Sequence, residues 1–371
     1  MKRIISPKEL WEKHPVDDEM LAFVGCATTT IENILEGKDK RLLVIVGPCS
    51  ITDTECALEY ARRLKALAKK AHKEIFPVLR VCFQKPRTGT GWPGLSNDPR
   101  LDGSYKLSEG YELSWKIARE ITKIGIPIAT EPVDTYFIHY ISKLVSYVWI
   151  GARTASSSEH RRMASALSMP VGFKNSEGGS TQVAVDAAYT TKFPHTFPGI
   201  DDEGFPCEIR GKGNSYSHII LRGGKESAGV KGEPRFLPNY DQFSVSSAIA
   251  CLTQKGLRQK LIIDCSHGNS EKDYKKQESV FAEVLEQIIK RRLSGNDVIA
   301  GVMLESHLTE GRQSTPDNPA DILHDKSVTD SCMGWDTTKL LLEETCRRLS
   351  MPCGKEKEKK STLSKIKVPS G

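Results

Sequence analysis

Eight short apolar runs in this 371-residue chain each lead into a residue that can do chemistry. In chain order these are Cys49, Arg80 followed by Lys85 and Arg87, Glu131, Arg153, Lys174, Arg222, His267 and Glu305. They sort by type. Arg80, Lys85, Arg87, Arg153, Lys174 and Arg222 form a cationic set, and like charges gathered in one cleft are destabilising unless an anion compensates them. Guanidinium forks match phosphate and carboxylate, and lysine adds a point charge. The set therefore implies small phosphorylated molecules, with more than one phosphate between them. The second set, Cys49, His267, Glu305 and the later Asp330, offers a thiolate, an imidazole and two carboxylates. That mixture of soft and hard donors suits a first-row divalent metal better than Mg²⁺ or Ca²⁺. Its long spacings give it no zinc-finger character, and His307 competes with His267 for the imidazole place. Taken singly, each cation reads equally well as half of a structural ion pair, and Cys49 as a small buried hydrophobe. A chemical group at eight ends out of eight favours one common mouth.

The elements that must position these groups are strands. The runs at 41–50, 76–83, 126–133, 146–154, 169–176, 217–224, 260–269 and 297–307 are mostly continuous rather than alternating, which marks parallel strands buried on both faces. Helical patterns separate them: one from Asp53, a good N-cap, to about residue 71, one over about 106–124, and a last one over about 336–349. Eight βα repeats predict an α/β fold of the (β/α)8 TIM barrel type, in which strand ends converge on one face. A doubly wound open sheet is the competitor, because counting strands does not show closure. The expected organisation is an N-terminal extension over 1–40 with a regulatory or oligomerisation role, and a catalytic barrel over 41–350. A Gly/Pro-punctuated insertion at 193–216 could form a hairpin, and a basic tail at 351–371 has the composition of disorder. Gly89-Thr90-Gly91-Trp92-Pro93-Gly94 matches GxGxxG, but KPRT precedes it and Pro93 interrupts it. A dinucleotide loop follows a strand directly and opens a helix, so this one reads as an irregular loop.

Composition narrows the class. With 38% hydrophobic and 27% charged residues, 29 Gly and 19 Pro, the chain is neither collagenous, coiled-coil nor disordered. Its net charge of +6 is mostly local, since six lysines against two glutamates in residues 354–371 supply four of those charges. The remainder is nearly neutral, so a nucleic-acid partner is not indicated. Ten cysteines at irregular spacings, without a CxxC pair, suggest a reducing compartment. The first residues, MKRIISPKELWEKH, turn polar before a signal-peptide core could form, and no apolar run reaches the roughly 18–20 residues of a membrane span. The expectation is a cytoplasmic protein without a membrane partner.

Particular motifs go further. VGPCS (46–50), KPRTGTGWPGLSNDP (85–99), IGART (150–154), VGFKN (171–175), ILRGG (220–224), SHGNS (266–270), MLESHL (303–308) and SVTDSCMGW (327–335) resemble, in order, the type I 3-deoxy-D-arabino-heptulosonate 7-phosphate (DAHP) synthases. The resemblance runs from about residue 42 to 349. It implies a (β/α)8 barrel that condenses phosphoenolpyruvate with erythrose 4-phosphate, the first step of the shikimate pathway. It also implies Cys49, His267, Glu305 and Asp330 as ligands of one ion of Mn²⁺, Fe²⁺, Co²⁺ or Zn²⁺. Arg80, Lys85, Arg153, Lys174 and Arg222 match the phosphoenolpyruvate site, with Lys85, Lys174 and Glu131 as the catalytic groups. Pro86, Arg87 and Thr88 match the motif that meets erythrose 4-phosphate. In members that sense aromatic amino acids, an N-terminal extension and the inserted hairpin form a remote effector pocket. Met163, Leu167, Ser168, Phe197 and Gly199 stand at positions resembling its lining. A homodimer or homotetramer is the assembly implied. The rivals are a sister synthase using another phosphorylated aldose, against which KPRT argues, a metal-dependent phosphosugar aldolase, and a barrel that binds effectors without turnover.

Overall fold

The computed structural model describes residues 2–87, 89–226, 235–315 and 318–351. Thr88 and the basic tail from residue 352, both singled out in the sequence, lie outside the described residues. Eight parallel strands close on themselves: β1 (Leu42–Gly47), β2 (Ile75–Arg80), β3 (Ile128–Thr130), β4 (Tyr147–Ile150), β5 (Val171–Lys174), β6 (His218–Leu221), β7 (Leu261–Asp264) and β8 (Ile299–Glu305). Neighbours in the barrel are neighbours in the chain. Closure comes from β1 pairing with β8, from Leu43↔Gly301 to Gly47↔Glu305. The protein is thus a (β/α)8 barrel, and the open sheet is excluded because no strand of the eight is left as an edge.

Every strand is shorter than the apolar run that announced it, since the last residues of each run leave the ladder for the mouth. The continuity of those runs has a direct cause. Leu43 and Ile45 of β1 point into the barrel with Val78, Trp149, Ile262 and Met303, whereas Leu42, Val44 and Val46 face the surrounding helices. Both faces exclude water, so both alternate sets are apolar. Helices follow the strands as expected: Asp53 caps Thr54–Lys70 by accepting from the Cys56 N–H, Leu107–Ile124 comes late after β2, and Trp335–Leu349 is the last.

The N-terminal segment forms two helices, Pro7–Lys13 and Asp18–Glu36. The second begins at Asp17, whose side chain accepts from the Met20 N–H, and stops at Gly37 in the left-handed conformation. Its Ile31, Ile34 and Leu35, on one face by their spacing, join the interior cluster and close the barrel floor. The insertion is a hairpin of two antiparallel strands, His195–Ile200 and Pro206–Gly211, with Phe197 opposite Ile209. The first helix is tied to it, as the Lys8 N–H donates to the Asp202 carbonyl at 2.8 Å. A second, smaller hairpin pairs Gly224–Glu226 with Arg235–Leu237 beside the mouth; the sequence reading did not contain it. The GxGxxG stretch lies in irregular chain between β2 and its helix. Gly94 there has φ +105, and a Cβ on it would sit 2.4 Å from the Phe83 carbonyl oxygen, so close backbone packing accounts for it. Among the described residues, no helix is long and apolar enough to cross a membrane.

Candidate active site

The carboxyl ends of the strands open on one cleft of about 510 Å³. Its lining holds eight lysines and arginines (Arg80, Lys85, Arg87, Arg153, Lys174, Arg222, Lys225 and Lys272) against four carboxylates (Glu131, Glu177, Glu226 and Asp330). That imbalance gives the cleft a positive field suited to anions.

Three of the four donors expected to hold a metal converge at its base. Cys49 follows β1, Glu305 ends β8, and Asp330 comes from the loop beyond; their ligand atoms all lie within 4.8 Å of one another. His267 stands beside them, with Nε2 3.5 Å from Glu305 Oε1. Its backbone is left-handed, φ +57, which is uncommon for a residue with a side chain. Its Nδ1 lies 2.9 Å from Asp264 Oδ2. With Nδ1–H donating to that carboxylate, Nε2 keeps its lone pair toward Glu305, the arrangement that orients imidazole ligands. His307 is buried, does not line the cleft, and its Nδ1 accepts from the Leu308 N–H.

Whether this set fits an ion can be judged from its own polar atoms. Glu305 Oε1 is buried, with the Arg80 guanidinium 2.8 Å away and His267 Nε2 at 3.5 Å. Burial, and then the Glu305 charge, push the Cys49 thiol up to about 11. A thiol so placed keeps its proton unless a cation replaces it, and a divalent ion would also meet the buried Glu305 carboxylate. The residues fit the metal.

The cationic set is held by a second layer of contacts. Arg80 is 2% exposed; besides Glu305 it donates to the Pro48 carbonyl at 2.9 Å, and its guanidinium lies 5.2 Å from the Trp149 ring centre. Lys85 Nζ donates to the Cys49 carbonyl at 2.7 Å and stands 3.1 Å from its sulfur. Lys174 ends β5 and pairs with Asp264 at 2.7 Å, both buried. Asn175 orders the next strand end by accepting from the Arg222 N–H at 2.7 Å, and burial lowers the Arg222 guanidinium below its ordinary range. Arg153 and Arg87 are exposed at the rim; Arg153 pairs with Glu177 at 3.0 Å and donates to the Pro86 carbonyl at 3.3 Å, while Arg87 donates to the Trp92 carbonyl. Glu131 is buried, with Oε2 accepting from the Trp149 indole at 3.1 Å and Oε1 unpartnered.

Three members, Arg80, Lys174 and Arg153, thus have carboxylate partners. The ion-pair alternative holds for these three, within a cleft whose charged lining is mostly cationic. Asp264, Trp149, Asn175 and Lys272 were not singled out. Asp264 carried a legible signal, a carboxylate inside the apolar run LIIDC; Trp149 looked like core.

The residues compared with an effector pocket lie on the hairpin and on, or just after, the helix Ser158–Ala166 that packs against it. Phe197 and Gly199 line a slit of about 10 Å³, room for one water, with Thr135, Tyr136, His139, Glu159 and Pro198. Met163 is buried in the core, Leu167 is half-buried at the end of helix Ser158–Ala166, and Ser168 is exposed.

Comparison with known proteins follows the same lines. Residues 15–343 match the family described as the DAHP synthetase I family. The Tyr-sensitive phospho-2-dehydro-3-deoxyheptonate aldolase of Escherichia coli (strain K12) is 42% identical over 341 residues, 92% of each chain. The Trp-sensitive form from the same organism is 40% identical over 344 residues, covering 93% of this chain and 94% of that one. The solved structure of phospho-2-dehydro-3-deoxyheptonate aldolase from Francisella tularensis SCHU S4 superposes with a TM-score of 0.86 at 40% identity, over 94% of this chain and 97% of the other.

Proposed function

The chain belongs to the DAHP synthetase I family, and from that premise we propose how it carries out that family's reaction. It is a DAHP synthase, a transferase that condenses phosphoenolpyruvate with D-erythrose 4-phosphate and water to give DAHP and inorganic phosphate. The observation that carries the assignment of roles is the junction of two chemistries in one cleft: a donor cluster at its base and an excess of cations around it.

Cys49, His267, Glu305 and Asp330 would hold one first-row divalent ion, which when bound supplies Lewis-acid polarisation of the aldehyde oxygen. Arg80, Lys85, Arg153, Lys174 and Arg222 bind the phosphate and carboxylate of phosphoenolpyruvate and hold its enol carbon toward the aldehyde. Two reactants fixed in attacking geometry gain the proximity advantage. Lys174 and Glu131 are the groups placed to move protons when water adds at the phosphate-bearing carbon, and Lys85 the one that steadies charge there. Pro86 and Arg87, at the open rim, take the erythrose 4-phosphate end, with Thr88 included by resemblance.

The test is direct. Mixing the protein with Mn²⁺, phosphoenolpyruvate and erythrose 4-phosphate should release inorganic phosphate, and arabinose 5-phosphate in place of the tetrose should not. Release with arabinose 5-phosphate alone overturns the assignment. Arg87→Ala should raise KM for erythrose 4-phosphate by about 10–100-fold, the worth of one charge-assisted contact, with a smaller effect on phosphoenolpyruvate. Equal rises in both constants would show that Arg87 does not belong to one substrate.

Regulation by an aromatic amino acid is part of this reading. It is supported by the relatives named Tyr-sensitive and Trp-sensitive and by the hairpin tied to the N-terminal helix. Replacing residues 199–209 with a short Gly/Ser turn should abolish inhibition while turnover survives, because the cleft is untouched. Initial rates with phenylalanine, tyrosine and tryptophan, each alone, decide it; three flat responses in the parent protein end the idea. Assembly as a homodimer or homotetramer belongs to the same reading, and light scattering of the purified protein tests it.

A further inference from the structure

One buried aromatic side chain touches both signs of charge in the cleft. Trp149 lies on β4, fully buried, with its ring among the interior residues of the barrel. Its indole N–H donates to Glu131 Oε2 at 3.1 Å. The same ring stands 5.2 Å from the Arg80 guanidinium and 5.9 Å from Lys174 Nζ, both within reach of a cation–π contact. A ring packed only as core would need none of these polar neighbours.

The other Glu131 oxygen shows what the arrangement achieves. Oε1 is buried yet has no hydrogen bond. Gly151 leaves it room, since a Cβ there would lie 2.1 Å away. Glu131 and Gly151 both line the cleft. One oxygen is anchored by the indole, and the other is left free by the absence of a side chain. A buried acceptor without a partner is unfavourable, and native proteins keep few of them.

We propose that Trp149 is a positioning residue for the reaction: its N–H fixes Glu131 so that Oε1 is presented to the cleft as an acceptor, while its ring spaces Arg80 and Lys174 for the anionic substrate. This rests on the assignment above, and the test separates the two. Parent enzyme and variants are assayed together for kcat, for KM of each substrate and for phosphoenolpyruvate binding by calorimetry. Inactivity of the parent overturns the assignment itself. With an active parent, Trp149→Phe keeps the apolar plate and removes only the N–H. It should lower kcat about tenfold or more and leave KM for phosphoenolpyruvate within about twofold. Trp149→Leu removes the plate as well and should also weaken phosphoenolpyruvate binding. On a Glu131→Gln background, Trp149→Phe should have no further effect on kcat, because it acts through that carboxylate. A Trp149→Phe enzyme with parental kcat overturns the proposal, as do losses that multiply on the Glu131→Gln background. Should Trp149→Phe fail to fold, Gly151→Ala carries the test: its methyl displaces Oε1 without touching the ring, so it should reproduce the fall in kcat, and parental kcat in that variant is equally fatal.

Discussion

Exhaustive chelation should abolish turnover, and added Mn²⁺ or another first-row divalent ion should restore it. The reason lies in how the donor cluster is built. Cys49, Glu305 and Asp330 bring a thiol and two carboxylates within 4.8 Å of one another, a group of acidic donors in which Glu305 Oε1 is buried with Arg80 2.8 Å away. Such a group is tolerable in a folded protein when a cation completes it. Cys49→Ser replaces the soft donor by a hard, weakly acidic one, so metal affinity should fall by at least tenfold while the thermal midpoint of the metal-free protein moves little. Titration calorimetry of the metal-free protein reads the first and a melting curve the second. Full activity after complete chelation would falsify metal dependence, and unchanged metal affinity in the serine variant would remove Cys49 from the ligand set.

Asp264→Asn should damage both halves of the site at once. The Asp264 carboxylate is fully buried and shared: Oδ2 lies 2.7 Å from Lys174 Nζ and 2.9 Å from His267 Nδ1, while Ser266 donates to Oδ1. Burial works against its charge, but the Lys174 charge and the hydrogen bonds from His267 and Lys174 hold the carboxyl well below the usual range. An amide keeps the shape and loses the charge. Lys174 is then left buried without its partner, a change worth about 3–5 kcal/mol in comparable pairs. The single amide oxygen cannot accept from Lys174, His267 and Ser266 together, so the contact that keeps the His267 lone pair on Nε2 is weakened, a change that costs about 10–100-fold in metal binding in analogous sites. The expected result is a lower thermal midpoint, weaker metal binding measured without substrate, and weaker phosphoenolpyruvate binding measured without metal. A variant that loses metal affinity but binds phosphoenolpyruvate as the parent does would show that Lys174 does not depend on this carboxylate.

Much of this molecule is written locally. The eight strands follow from continuous apolar runs, because a strand of a closed parallel barrel meets helices on one face and the interior on the other. The helix starting at Asp53 follows from a capping side chain two or three residues from the amides it serves. The cationic ends Arg80, Arg153, Lys174 and Arg222 are legible because strand order and strand ends are properties of the chain itself, and the motifs around them are dense enough to indicate the family. What the chain order cannot express is which distant residues meet. Closure depends on Gly47 lying beside Glu305, residues at opposite ends of the barrel sequence, and only that register places Cys49 next to Glu305. The choice of His267 over His307 for the cleft turned on a left-handed backbone at one and a buried, locally bonded ring at the other. Asp264 and Trp149 read as parts of apolar strands until the barrel brought Lys174, His267, Glu131 and Arg80 around them. Strand identity comes from short-range hydrophobic pattern, whereas a site is a set of long-range distances fixed only when the barrel closes.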